Sequence, residues 1–124
     1  MHDAVTVPGL PAPGGAYSHL TRGGGLVWTA GFGPQDPETG QIPEGVEAQT
    51  RATLANVARA LAGMDLTLDD VVKTTVFLAD LHRDFRAFDR VYGEVVPAPH
   101  PVRTTVGAAL LGILVEIDVV ALTR

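Results

Sequence analysis

Asp69-Asp70-Val71-Val72-Lys73-Thr74-Thr75-Val76-Phe77-Leu78-Ala79 is the stretch that decides the fold. It is rich in β-branched residues, and strict alternation would place Val72, Thr74, Val76 and Leu78 on one face and Val71, Lys73, Thr75 and Phe77 on the other. Neither face is mainly charged, so both are expected to be at least half buried. That is how a strand inside a sheet reads. Upstream, Val46, Thr50, Leu54, Val57, Leu61 and Met64 recur at helical spacing, with Gly63 suited to a C-terminal cap. Downstream, Phe85, Phe88, Tyr92 and Val95 form a stripe on a second helix, expected from about His82 to Val96 and stopped by Pro97-Ala98-Pro99-His100-Pro101.

Further out, Val102 to about Gly107 and Leu114 to Leu122 read as strands joined by a short apolar loop around Leu110-Leu111-Gly112. Gly23-Gly24-Gly25 suits a hairpin turn between a strand near Ser18 to Arg22 and the run Leu26-Val27-Trp28-Thr29-Ala30. Gly31 to Gly45 carries Pro34, Pro37 and Pro43 and reads as an ordered surface loop. With Val5 to Val7 as a marginal first strand, the order is β-β-β-α-β-α-β-β. This predicts an α+β fold over residues 1–124 as one domain, a mixed sheet with two helices packed on one face.

The other face of that sheet needs a cover. In the last strand, Val115, Ile117, Val119 and Ala121 form one side, while Leu114, Val120 and Leu122 surround Glu116 and Asp118 on the other. Leaving the second side wet would expose a large apolar patch, so a homo-oligomer is expected with its interface there. Arg103 and Thr105 share a side of the penultimate strand, opposite Val102, Thr104 and Val106. As an adjacent strand, it is expected to turn Arg103 toward the same oligomer side as Glu116. An Arg103 to Glu116 ion pair that only fixes the interface and a pair that handles a ligand both satisfy this pattern.

Bulk properties narrow the function. Nine basic and fourteen acidic residues give a net charge of -5 and a pI near 5.1, which disfavours nucleic acid and anionic membranes as partners. Cysteine is absent, removing disulfides, thiolate metal ligands and thiol nucleophiles. The longest apolar stretch, Val106 to Val115, falls far short of the ~20 residues a membrane span needs. The N-terminal residues lack a basic and apolar leader pattern, so a cytoplasmic protein is expected. Gly31-x-Gly33 runs into prolines rather than a helix, and Ser18, the only serine, lies outside any nucleophile motif. His2, His19, His82 and His100 lack ligand spacing and read as surface or helix-end residues. Mid-strand Lys73 reads as structural, and Arg83, Arg86 and Arg90 as a solvated helix face.

Several segments carry a resemblance in order and spacing over nearly the whole chain. They are Gly15-Ala16-Tyr17-Ser18, Thr29-Ala30-Gly31, Glu47-Ala48-Gln49-Thr50, Asn56, Val72 to Leu78, Val91-Tyr92, Pro101 to Val106 and Leu114-Val115-Glu116-Ile117. Together they resemble the RidA/YjgF family of reactive intermediate deaminases. The resemblance implies a chorismate-mutase-like fold and a homotrimer with three clefts between subunits. It implies that Arg103 binds the carboxylate of a 2-imino acid and that Glu116 positions the attacking water, with Tyr17, Ala30, Gly31 and Thr105 lining the cleft. No metal or organic cofactor is implied.

Chemistry makes these roles sensible. A guanidinium fork matches a carboxylate bidentately, a geometry lysine lacks, and a carboxylate can act as general base toward water. The chain also departs from the family pattern. Ala30-Gly31-Phe32 stands where Ser-Gly-Gln is frequent, Ala16 replaces a common proline, Thr105 replaces a frequent cysteine, and the segment from Arg103 to Glu116 is about two residues shorter. The expected activity is hydrolysis of 2-imino acids or enamines to 2-oxo acids and ammonia. The alternative is a non-catalytic trimer of the same fold that binds small carboxylates or other proteins. A ribonuclease activity, also ascribed to some relatives, fits the acidic charge poorly.

Overall fold

A computed structural model describes residues 2–124. The strands are β1 (Asp3–Val5), β2 (Leu20–Gly23), β3 (Leu26–Thr29), β4 (Val71–Leu78), β5 (Val102–Gly107) and β6 (Val115–Leu122); the helices are α1 (Val46–Ala62) and α2 (Leu81–Val95). The six strands form one mixed sheet in the order β1-β2-β3-β6-β4-β5, antiparallel throughout except for the parallel pair β4 and β5. This is the expected α+β arrangement with two helices.

Its local causes are visible in the sequence. Gly24 and Gly25 take φ of 60° and 82° in the β2–β3 turn, where a side chain would be strained. Asp80 caps α2 by accepting from the Arg83 N–H, and Thr67 with Asp70 forms a capping box on the short turn before β4. The core lies between the helices and one face of the sheet. Val27, Val76, Leu78, Val115, Ile117 and Ala121 meet Leu54, Val57 and Leu61 of α1 and Phe88 of α2, all essentially without solvent contact. Tyr92 ties α2 to the sheet by donating its hydroxyl proton to Thr74 Oγ1 at 3.1 Å.

Four expectations need correction. The first strand is Asp3–Val5, not Val5 to Val7, because the Val7 N–H leaves the ladder to donate to His19 Nδ1 at 2.9 Å. His19 is accordingly buried at 2% exposure rather than on the surface; its other nitrogen, Nε2, meets Pro11 O at 2.8 Å. Alternation in β4 breaks at a register shift between Val71 and Lys73, so Val71 joins the buried face of Thr74, Val76 and Leu78 while Val72 is exposed. Most consequentially, β5 and β6 are not neighbours. They flank β4, one on each edge.

The face away from the helices carries Trp28, Val72, Val102, Val106 and Leu122, all exposed, around Lys73, Glu116 and Asp118. Among the described residues, no helix is long and apolar enough to cross a membrane.

Core and loop tip should respond differently to truncation. Ile117→Ala is expected to lose about 2–5 kcal/mol of stability and Leu111→Ala, 98% exposed at its loop tip, less than about 0.5 kcal/mol, as measured by denaturant unfolding.

Candidate functional site

Glu116 stands on the uncovered face of β6, opposite Phe77 of β4. The chain beyond β3 is pinned against it. Phe32 exchanges two backbone hydrogen bonds with Ile117, at 2.9 and 3.0 Å, and Thr29 Oγ1 accepts from the Val119 N–H at 3.0 Å. This register lays Gly31 on the Glu116 side chain. A Cβ at Gly31 would come within 2.7 Å of Glu116 Oε2 and 2.9 Å of Cδ, so glycine is what leaves room for the carboxylate.

The carboxylate opens onto a cavity of about 540 Å³ lined by Tyr17, His19, Gly31, Phe32, Leu110 and Glu116, among others. Its rim is braced by residues of the motifs read from sequence. Asn56 donates to Gly33 O and Gln35 O, both at 2.9 Å, and Gln49 bridges Pro43 O and the Leu114 N–H. Tyr17 is half exposed, and its hydroxyl accepts from the Gly14 N–H at 2.9 Å. Among the described residues no side chain or backbone group hydrogen-bonds the Glu116 carboxylate. Burial chiefly, and then the negative charge of Asp118, raise its pKa above the ordinary glutamate value. A desolvated carboxylate with free lone pairs is suited to taking a proton from water.

Arg103 lies elsewhere. Paired with Thr74 across the parallel β4–β5 edge, it points to the helix-covered face, whereas Glu116 points to the open one. The expectation that they share a face assumed that β5 borders β6, and the insertion of β4 removes it. The guanidinium carbon sits 4.6 Å from the Tyr92 ring centroid, 5.3 Å from that of Phe88 and 5.8 Å from that of Phe85. Such cation–π contacts contribute roughly 0.5–2 kcal/mol. Nη1 meets Asp89 Oδ1 at 2.8 Å. Nε and Nη2 have no hydrogen-bond partner among the described residues. A cavity of about 390 Å³ fronts the group, lined by Asp89, Tyr92, Gly93, His100, Pro101 and Arg103.

Of the residues singled out from sequence, Tyr17, Gly31 and Glu116 therefore share one cavity and Arg103 lines another. Thr105 lies on the helix side with Arg103, its Oγ1 buried without a hydrogen-bond partner, and lines neither cavity. Ala30 lines neither either; its N–H donates to His19 O at 2.9 Å. Sequence reading missed Asp89 and the cage. The signal was present, since Asp89 falls within the Phe85, Phe88, Tyr92 stripe at helical spacing, but the stripe read simply as core. Among the described residues, no group of three or more His, Cys, Asp or Glu side chains is placed to hold a metal ion.

Residues 9–123 match the family described as Endoribonuclease L-PSP. The chain is similar to the 2-iminobutanoate/2-iminopropanoate deaminase of Salmonella typhimurium, with 35% identity over 129 aligned residues and coverage of 100% of both chains. It is 37% identical over 118 residues to Reactive Intermediate Deaminase A, chloroplastic, of Arabidopsis thaliana, spanning 94% of this chain and 63% of that one. Among solved structures, Escherichia coli TdcF with bound serine superposes with a TM-score of 0.90 at 31% identity, over 98% of this chain and 99% of that one.

The close approach of Gly31 to Glu116 has a measurable outcome. In Gly31→Ala the methyl group should push the flexible carboxylate toward water, leaving the fold intact and lowering the Glu116 pKa toward the ordinary value. A carboxyl-carbon NMR titration of the two proteins reads this directly; an unmoved Glu116 titration would contradict the packing described.

Proposed function

The chain belongs to the endoribonuclease L-PSP family, which includes the RidA/YjgF deaminases, and from that membership and the site geometry we propose that it hydrolyses small 2-imino acids or their enamine tautomers. The observation that carries the reading is the Glu116 carboxylate: partly buried, without a hydrogen-bond partner among the described residues, and facing a cavity beside Tyr17 and Gly31.

Arg103 binds the substrate carboxylate through its free Nε and Nη2 edge, a bidentate contact worth roughly 1.5–3 kcal/mol. Because Arg103 and Glu116 occupy opposite faces of one sheet, a small substrate meets both only where two copies of the chain adjoin. A chorismate-mutase-like homotrimer supplies three such clefts and also covers the apolar face that carries Trp28, Val102 and Leu122. Glu116 takes a proton from water as the oxygen attacks the C=N carbon. The carbinolamine nitrogen then takes that proton back from Glu116 as the C–N bond breaks and ammonia leaves, the hydroxyl oxygen releases its own proton to solvent as the C=O bond forms, and the 2-oxo acid remains. Tyr17 walls the cleft. Gly31 keeps the Glu116 carboxylate in place, while Ala30 and Thr105 support the elements beside the two charged groups. The similar TdcF, solved with bound serine, supports a small carboxylate ligand.

The second reading, a binding protein without turnover, draws on the Asp89 carboxylate already set against Arg103 and on the absence of a hydroxyl at Ala30. An amino-acid oxidase that releases free imine, coupled to a carbonyl trap, separates the two. Wild type should accelerate imine loss. Arg103→Ala should reduce kcat/KM roughly 10- to 100-fold and Glu116→Gln roughly 10²- to 10⁴-fold. The ionised form of Glu116 is the base, so the rate should fall as pH drops through its raised pKa. That acid limb should lie above the ordinary glutamate range and disappear in Glu116→Gln. Equal rates in wild type and Arg103→Ala would remove the role assigned to the arginine.

A further inference from the structure

His19 is the one basic side chain that lines the Glu116 cavity, and the deaminase reading leaves it without a part. Neither of its nitrogens is free. Nδ1 accepts from the Val7 N–H at 2.9 Å, so it carries no proton, and Nε2 lies 2.8 Å from Pro11 O, so it carries one. An imidazole beside a candidate base would ordinarily read as a proton carrier. With both nitrogens committed to backbone, this one is a clamp.

What it clamps is the segment from Val7 to Gly14, which lies between β1 and β2 and contributes Pro11, Ala12 and Gly14 to the cavity wall. The segment belongs to no helix or strand. Among the described residues, its hydrogen bonds to the rest of the chain run through two side chains, His19 and Tyr17. One end is anchored by Val7, packed so closely on Gly63 that a Cβ there would come within 2.7 Å of it. On its other side the His19 ring packs on Phe32 with centroids 5.8 Å apart, and Phe32 is locked to Ile117, the neighbour of Glu116 in β6. One imidazole thus ties the cavity wall to the strand that carries the carboxylate.

We propose that His19 is a positioning residue: through its two backbone contacts it sets how far the wall from Pro11 to Gly14 stands from Glu116, and so how large an imine the cavity admits. The inference rests on the reading of Glu116 as the base and specifies the selectivity of that site. Held by His19 at Pro11 and by the Tyr17 hydroxyl at Gly14, the wall cannot swing outward without breaking one of these bonds. Released at Pro11, it would widen the cavity, so that small substrates lose contacts and bulkier ones gain room.

The test is steady-state hydrolysis of 2-iminopropanoate and the branched 2-imino-4-methylpentanoate by the intact oligomer of wild type, His19→Phe, His19→Asn and His19→Gln. Phenylalanine fills the place of the ring and makes neither bond, asparagine reaches Val7 alone, and glutamine offers an acceptor and a donor on one planar group. His19→Phe and His19→Asn should raise KM for 2-iminopropanoate roughly tenfold, keep kcat within about threefold, and shift the kcat/KM ratio of the two imines roughly tenfold toward the larger. His19→Gln should return that ratio to within about threefold of wild type. A residue needed only for folding would lower the active fraction for both imines alike and leave KM and the ratio unmoved. Should His19→Phe not fold, His19→Asn carries the comparison. Wild-type KM and ratio in either folded variant, or a His19→Gln ratio no closer to wild type than theirs, overturns the role of His19, while an inactive Glu116→Gln keeps the reading of Glu116. Imidazole nitrogen NMR of wild type should show a bare Nδ1 and a protonated Nε2; a protonated Nδ1 overturns the clamp. If wild type hydrolyses neither imine, the reading of Glu116 fails and the proposal falls with it.

Discussion

Strand β4 is hydrogen-bonded along both edges, antiparallel to β6 and parallel to β5, and the placement of every chemical group follows from that position. Side chains of a sheet alternate between faces with period two, and residues paired across a ladder point the same way. Thr74 therefore carries Arg103 to the helix side, and Phe77 carries Glu116 to the open side. One chain holds a cation in an aromatic cage and a desolvated carboxylate under a glycine, with the sheet between them. Neither face alone presents both the guanidinium and the raised carboxylate.

The two halves differ in how they are supported. Arg103 is stabilised by what surrounds it, the rings of Phe85, Phe88 and Tyr92 and the carboxylate of Asp89. Glu116 is the reverse case: its surroundings disfavour its charge, through burial and through Asp118. That asymmetry suits the division of labour between a permanent cation that binds and a carboxylate whose proton affinity is raised toward the range where a base works. Asp118, itself pushed up by burial and drawn back by Lys73, extends the uncovered electrostatic face of the sheet.

Much of this was legible in the chain. Helix stripes, the Gly23-Gly24-Gly25 turn, the apolar character of both sides of the last strand and the outward orientation of Glu116 and Asp118 all follow from periodicity, and they emerge as expected. What periodicity cannot carry is strand order. The segment from Arg103 to Glu116 read as a hairpin because its loop is short and apolar, yet the Val102 and Val115 strands flank β4 instead of pairing with each other. The register shift at Val72 and the burial of His19 escaped for the same reason, since each depends on a partner remote in sequence. Asp89 was hidden by its setting: a charge beside an aromatic stripe looks solvated until the opposing arginine is known.

The central claim is that one chain's Arg103 and another chain's Glu116 serve a single substrate. Arg103→Ala and Glu116→Gln subunits, each nearly inactive alone, can be unfolded together, mixed in equal amounts and refolded as hetero-oligomers. Random assembly joins an intact arginine to an intact glutamate in about a quarter of the clefts. The account predicts that imine hydrolysis returns to roughly that fraction of the wild-type rate per subunit. A mixture no more active than its separately refolded parents, with hetero-oligomers demonstrated by native mass spectrometry, would contradict it.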